Sequence, residues 1–127
     1  VSVELADVPA GCRAAVTATL EAVGVKEGHL GVELVPAARI RELNRRFRGT
    51  DAPTDVLSFP IDGLAGQGGA PRELGDVVIC PEHTGDLDEA TVHGVLHLCG
   101  YDHETDEGEM LELQRQVLAA LGRGSAP

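Results

Sequence analysis

Three of the chain's five histidines lie between His93 and His103, in the string HGVLHLCGYDH. His93 and His97 are four apart, so a helix stacks them on one face, where two imidazoles can share one ion. Gly100 can take the left-handed conformation that ends a helix, which turns the chain and brings in His103 as a third ligand. Three neutral imidazoles suit catalytic zinc, because a fourth position stays open to water or substrate and the pKa of a bound water falls toward about 7. One zinc ion per chain is the expected cofactor, although sites of three histidines also accept nickel, cobalt or iron. Cys99 falls on a different helix face from His97, and His29 and His83 lie outside the string. These three residues read as structural.

The spacing HxxxHxxGxxH is similar to the ligand pattern of the metzincin peptidases, with one departure. Those enzymes carry a glutamate directly after the first histidine as general base, where this chain has Gly94. Without that proton acceptor a phosphodiester is the better substrate, since an ion held by neutral ligands keeps its full double charge for phosphate oxygens. The net charge of -11 argues on its face against a polyanionic partner. Its distribution argues otherwise: Arg39, Arg41, Arg45, Arg46 and Arg48 are opposed locally only by Glu42, so this stretch carries +4 and the remaining chain -15. Arg41, Arg45 and Arg48 recur at spacings of four and three and form one helical stripe. A solvated face is the plain account of such a stripe. Phosphate binding is the other, and Arg48, just before a turn at Thr50 to Pro53, is placed to clamp a phosphate.

The elements that must position these groups follow from periodicity. Val1, Val3 and Leu5 alternate as a first strand, and a helix runs from about Pro9 to Val23, closed by Gly24. Leu30, Val32 and Leu34 form a second strand after a turn at Gly28. A helix over about Pro36 to Phe47 buries Ile40, Leu43 and Phe47. Thr54 to Pro60 is a short strand, Asp62 to Arg72 a glycine-rich loop unlike a phosphate-binding motif, and Leu74 to Cys80 a central strand. Asp86 or Asp88 caps the histidine helix, which ends near Leu98. In the last helix Asp106 and Glu109 have capping-box spacing, Met110, Leu113, Val117 and Leu121 face inward, and Gly122 ends the element. Strands and helices interleave without repeat or linker, which implies a small α+β or α/β sandwich with a partly parallel sheet. Residues 1–122 form a single domain and residues 123–127 a frayed tail.

Apolar residues make up 43% of the chain and aromatics 2%, so the core is aliphatic and few rings are available to stack nucleobases. Cys12, Cys80 and Cys99 are odd in number and widely spaced, as buried thiols in a reducing compartment would be. No run approaches the roughly 20 apolar residues of a membrane span, and the first residues lack the layout of a signal peptide. A cytoplasmic protein with no membrane partner is expected, and a monomer.

Three stretches together resemble the YbeY family of bacterial endoribonucleases: LNRRFRGTDAPTDVLSFP (Leu43 to Pro60), LGDVVIC (Leu74 to Cys80) and HGVLHLCGYDH (His93 to His103). The resemblance implies an α+β fold with a mixed four-stranded sheet packed with helices around a metzincin-like histidine tripod. It also implies a zinc-dependent endoribonuclease specific for single strands, acting in 16S rRNA 3'-end maturation and ribosome quality control. His93, His97 and His103 would hold the metal and Arg48 would be catalytic. Single-stranded RNA, the 16S rRNA precursor, and the ribosome or its proteins would be the partners. One departure is the short segment between Cys80 and the histidine helix, where the family usually has a further helix and loop. Asp102 is expected to orient a histidine rather than act as a base. The competing readings are a non-catalytic ribosome-assembly factor with a structural metal, whose acidic exterior would suit a basic ribosomal protein, and a metallopeptidase, which Gly94 disfavours.

Overall fold

The computed structural model describes residues 2–4, 7–60, 73–102 and 106–122. The apolar run expected to be central is so: β4 (Glu73–Ile79) pairs parallel with β2 (Glu27–Leu34) on one side and antiparallel with β3 (Val56–Pro60) on the other. The short β1 (Ser2–Glu4) adds parallel to the far side of β2, giving a mixed sheet in the order β1-β2-β4-β3. Among the described residues, four helices complete this α+β fold: α1 (Ala10–Val23), α2 (Ala37–Arg48), α3 (Leu87–Leu98) and α4 (Glu109–Ala120).

The sheet has two unequal sides. On one, α1 and α3 bury Cys12, Val16, Leu20, Val95 and Leu98 against Leu30, Val77 and Ile79, while α4 adds Met110 and Val117 against Val92 and Leu96. On the other, among the described residues, α2 packs Ile40 and Leu43 on Leu57, Val78 and Cys80. A bulge lets β4 serve both sides: His29 pairs with Glu73 but Leu30 with Gly75, so Leu74 is an extra residue turned into the larger core. Gly75 lies at φ 129°, and a side chain there would meet the Phe59 carbonyl oxygen. Cys12, Cys80 and Cys99 are all buried and none is in a disulfide.

Several local expectations shift. Gly28 is not a turn: β2 begins at Glu27 because Val3 pairs with Gly28, and pairing with a neighbouring strand extends the element. Phe47 is not buried but 60% exposed. It lies in the last turn of α2, where its ring meets Phe59 edge to face at 5.3 Å and Arg46 covers it at 5.5 Å. Asp106 does serve the start of α4, but not as its first cap. The N-cap residue is Gly108, and Asp106 accepts from the backbone N–H groups of Gly108 (2.8 Å) and Met110 (2.9 Å). Of the expected elements, Val1, Leu5, the 62–72 loop and the 123–127 tail lie outside the described residues.

The short segment before α3 is filled by a single 3-10 turn, Pro81–His83, and the Glu82 carboxylate of that turn accepts from the Ala37 N–H at 3.0 Å, satisfying the start of α2. Asp86 then caps α3, accepting from the Glu89 N–H at 3.1 Å. His29 has the structural part expected of it. Its ring bridges Glu73 at the start of β4 and Asp7 after β1, the latter at 2.7 Å.

Two consequences can be measured. The hydrogen bond to Glu73, followed by that to Asp7, raises the pKa of His29 above the ordinary 6.5. The bridge is therefore fully stabilising below that value, while the carboxylates stay ionised, and is lost as pH rises through the raised folded-state pKa. The stability difference between wild type and His29→Gln should shrink as pH is taken from about 6 to 9 in denaturant titrations. Gly94 is buried in α3, and a Cβ built there would lie 2.5 Å from Val77 Cγ1. Gly94→Ala should therefore lower stability by about 1–2 kcal/mol despite alanine's better helix propensity, and Val77→Ala in the same chain should recover part of the loss.

Candidate active site

His93 and His97 occupy one face of α3, as their spacing requires. Their ring centroids are 4.8 Å apart with planes at 77°, so both imidazoles reach one region of space. They line a polar cleft of about 430 Å³ together with Arg48, Asn44, Thr50, Thr54, Asp55 and Ser58. The histidine pair and Arg48, distant in sequence, thus share one cleft. His103 lies outside the described residues, and among the described residues no group of three metal-ligating side chains forms.

The turn that follows the pair has the expected geometry. Gly100 sits at φ 97°, its N–H bonds the His97 carbonyl at 3.0 Å, and the Tyr101 N–H bonds the Leu96 carbonyl at 3.1 Å, the crossed bonds of a glycine helix stop. Tyr101 packs partly buried against the core. Asp102 is exposed, and its carbonyl accepts from the Asp106 N–H at 3.0 Å, tying the turn to the approach of α4.

Chemistry of the donor set fits a divalent ion as far as it is described. The His93 Nδ1 lies 2.8 Å from Gln114 Oε1, and a carbonyl oxygen only accepts, so Nδ1 is the donor in this contact; in a neutral imidazole the lone pair then falls on Nε2. That tautomer is the one in which Nε2 can bind a metal. The position after His93 is closed to a catalytic glutamate for a reason of packing. Gly94 faces the sheet, with a built Cβ 2.5 Å from Val77 Cγ1 and 3.1 Å from Val56 Cγ2, and its carbonyl accepts from the Ser58 hydroxyl at 2.9 Å.

The arginine cluster does not act as one stripe. Arg41 pairs with Asp51 at 2.8 Å and Arg45 with Glu42 at 2.7 Å, and these contacts lower the pKa of both carboxylates, chiefly through the hydrogen bonds. Arg46 lies on Phe47, and Arg39 lines a separate groove on the α2 side of the sheet. Arg48 alone of the five lines the histidine cleft. The cause is geometric: the turn after α2 carries Asp51 back onto the helix, where it meets Arg41.

Sequence reasoning misses several cleft residues. Asn44 is buried in α2 and donates to the Ala52 carbonyl at 2.8 Å, holding the 50–54 turn against the helix. Asp55 lines both this cleft and a smaller one behind His93 that contains Gln114. The signal for Gln114 was present: on α4 it falls between Met110 and Val117, at spacings of four and three, as a polar residue in an apolar stripe.

Comparison with known proteins gives the family of this architecture. The endoribonuclease YbeY family profile matches residues 2–122, and the chain belongs to that family. A Nitrobacter hamburgensis protein named endoribonuclease YbeY is 46% identical over 113 residues, covering 76% of this chain and 60% of that protein. The chain therefore spans less than two thirds of that relative's length. A Bacillus cytotoxicus protein of the same name is 42% identical over 121 residues, covering 78% of this chain and 77% of that protein. Among solved structures, the solution structure of TM1509 from Thermotoga maritima is similar, with a TM-score of 0.53 and 32% identity over 87% of this chain and 78% of that one.

The Asn44 contact predicts a local effect. Asn44→Ala should cost about 1–2 kcal/mol by removing the donor for the Ala52 carbonyl. Amide exchange should accelerate over residues 50–55 and stay at wild-type rates in β4.

Proposed function

We propose that this protein is a metal-dependent endoribonuclease acting on single-stranded RNA, with His93, His97 and His103 as zinc ligands and Arg48 as the phosphate clamp. The observation that carries this reading is the meeting of the histidine pair and Arg48 in one polar cleft, in a chain belonging to the YbeY family. An open cleft suits an extended strand. Zinc held there would supply Lewis acidity, drawing charge from a phosphodiester oxygen and making water or a ribose hydroxyl a better nucleophile.

The chain's own residues supply the rest. The Arg48 guanidinium donates to phosphate oxygens and opposes the negative charge that builds on them as phosphorus is attacked. Thr50, Thr54 and Ser58 offer hydroxyls along the cleft wall to position the backbone, and Asn44 keeps that wall in place. Asp102 orients a ligand from outside the metal's own contacts. Processing of the 16S rRNA 3' end and ribosome quality control in the cytoplasm are the proposed cellular setting, with the chain working as a monomer. No helix among the described residues is long and apolar enough to cross a membrane.

A second reading, a ribosome-assembly factor without catalysis, draws on the groove on the α2 side, which Asp7, Glu33 and Asp76 line together with Arg39, Phe47 and Phe59. That combination suits a basic protein surface with apolar side chains. Cleavage separates the two. Purified protein should cut unstructured RNA, and His97→Ala or Arg48→Glu should lower the rate about 100-fold or more while the fold is retained. Cutting undiminished in both variants would remove the catalytic reading, and precursor 16S ends that mature normally with only His97→Ala present would remove the cellular one.

A further inference from the structure

We propose that Gln114 is a positioning residue for this site, holding His93 as its Nδ1–H tautomer so that Nε2 presents its lone pair to the cleft shared with His97. The inference rests on the metal-dependent reading above. His93 lines two clefts, the larger with His97 and Arg48, the smaller with Gln114, Asp55 and Glu89. Its ring therefore stands between them. The edge at 2.8 Å from Gln114 Oε1 is the Nδ1 edge, which leaves Nε2 on the side away from Gln114.

The support beneath Gln114 is rigid. Met110 and Val117, one helical turn before and after it, are buried in the cluster with Val92 and Leu96 of α3, so the two helices are locked in register where the hydrogen bond forms. The amide differs from a carboxylate in one respect that matters here. It accepts from Nδ1–H and fixes the ring without adding negative charge, so the double charge of a bound cation stays available for phosphate. Asp55 and Glu89 line the same small cleft, and Gln114 is the residue there that bonds Nδ1.

The test reads the tautomer and the metal separately. In metal-free protein labelled with 15N-histidine, two-bond 1H–15N spectra should show His93 protonated at Nδ1. Gln114→Leu should lose that preference, and Gln114→Glu should keep it. Zinc affinity measured by competition with a chelator should fall about 10- to 100-fold in Gln114→Leu and recover in Gln114→Glu. A His93 proton on Nε2 in the wild type, or a Gln114→Leu protein with wild-type tautomer and affinity, overturns the proposal. If the wild type binds no zinc, the metal-dependent reading falls, and the tautomer spectra alone decide for or against Gln114.

Discussion

The approach of α3 to the sheet at Gly94 is the constraint on which the site depends. With Val77 and Val56 beneath that position there is no space for a side chain, and the Ser58 hydroxyl reaches the helix backbone itself. Interiors at this density do not absorb an extra methyl group without moving their neighbours. Because the helix backbone lies directly on β3 and β4, the flanking histidines emerge at the edge of the sheet. There they meet the segment that leads from α2 into β3. The residue that packing requires is also the one that denies the site a peptidase's glutamate, so a single close contact fixes the geometry of the histidine pair and narrows its chemistry.

Electrostatics sharpen the same cleft by subtraction. Ten basic residues oppose twenty-one acidic ones, and half of the basic residues lie in and around α2. Folding pairs two of these five with carboxylates and lays a third on a ring. Asp51 returns to Arg41, Glu42 holds Arg45, and Arg46 lies against an aromatic ring. What reaches the histidine cleft is one cation, Arg48, carried at the end of a helix whose register is set by Ile40 and Leu43 in the core. Pairs this exposed contribute little to stability. Their consequence is to cancel competing positive charge near the cleft.

Much of the fold was legible in the sequence because its signals are local. The central strand announced itself as an apolar run too continuous for a half-solvated element, and β4 has a neighbour on each side. Asp86, Gly24 and Gly100 marked helix ends through capping chemistry that involves only adjacent residues. Errors arose where a distant partner decided the outcome. Phe47 had the right spacing for burial but lies in the last turn of α2, where Phe59 and Arg46 meet its ring and leave it 60% exposed. Gly28 had turn chemistry but lies opposite Val3, and strand pairing overrode it. The arginine stripe was real as helical geometry, yet its ion pairs depend on how the following turn folds back.

By itself, the sequence determined that His93 and His97 share a helical face, that a glycine stop follows them, and that no glutamate stands beside the first. These are consequences of a fixed rise and rotation per residue, which need no knowledge of the rest of the chain. Only the tertiary structure decided which arginine faces the histidines, why Gly94 must be glycine, and that Gln114 reaches the far edge of His93. Each of those depends on packing between different elements of the chain. The bulge in β4, the burial of α4 on α3 and the turn after α2 settle it together.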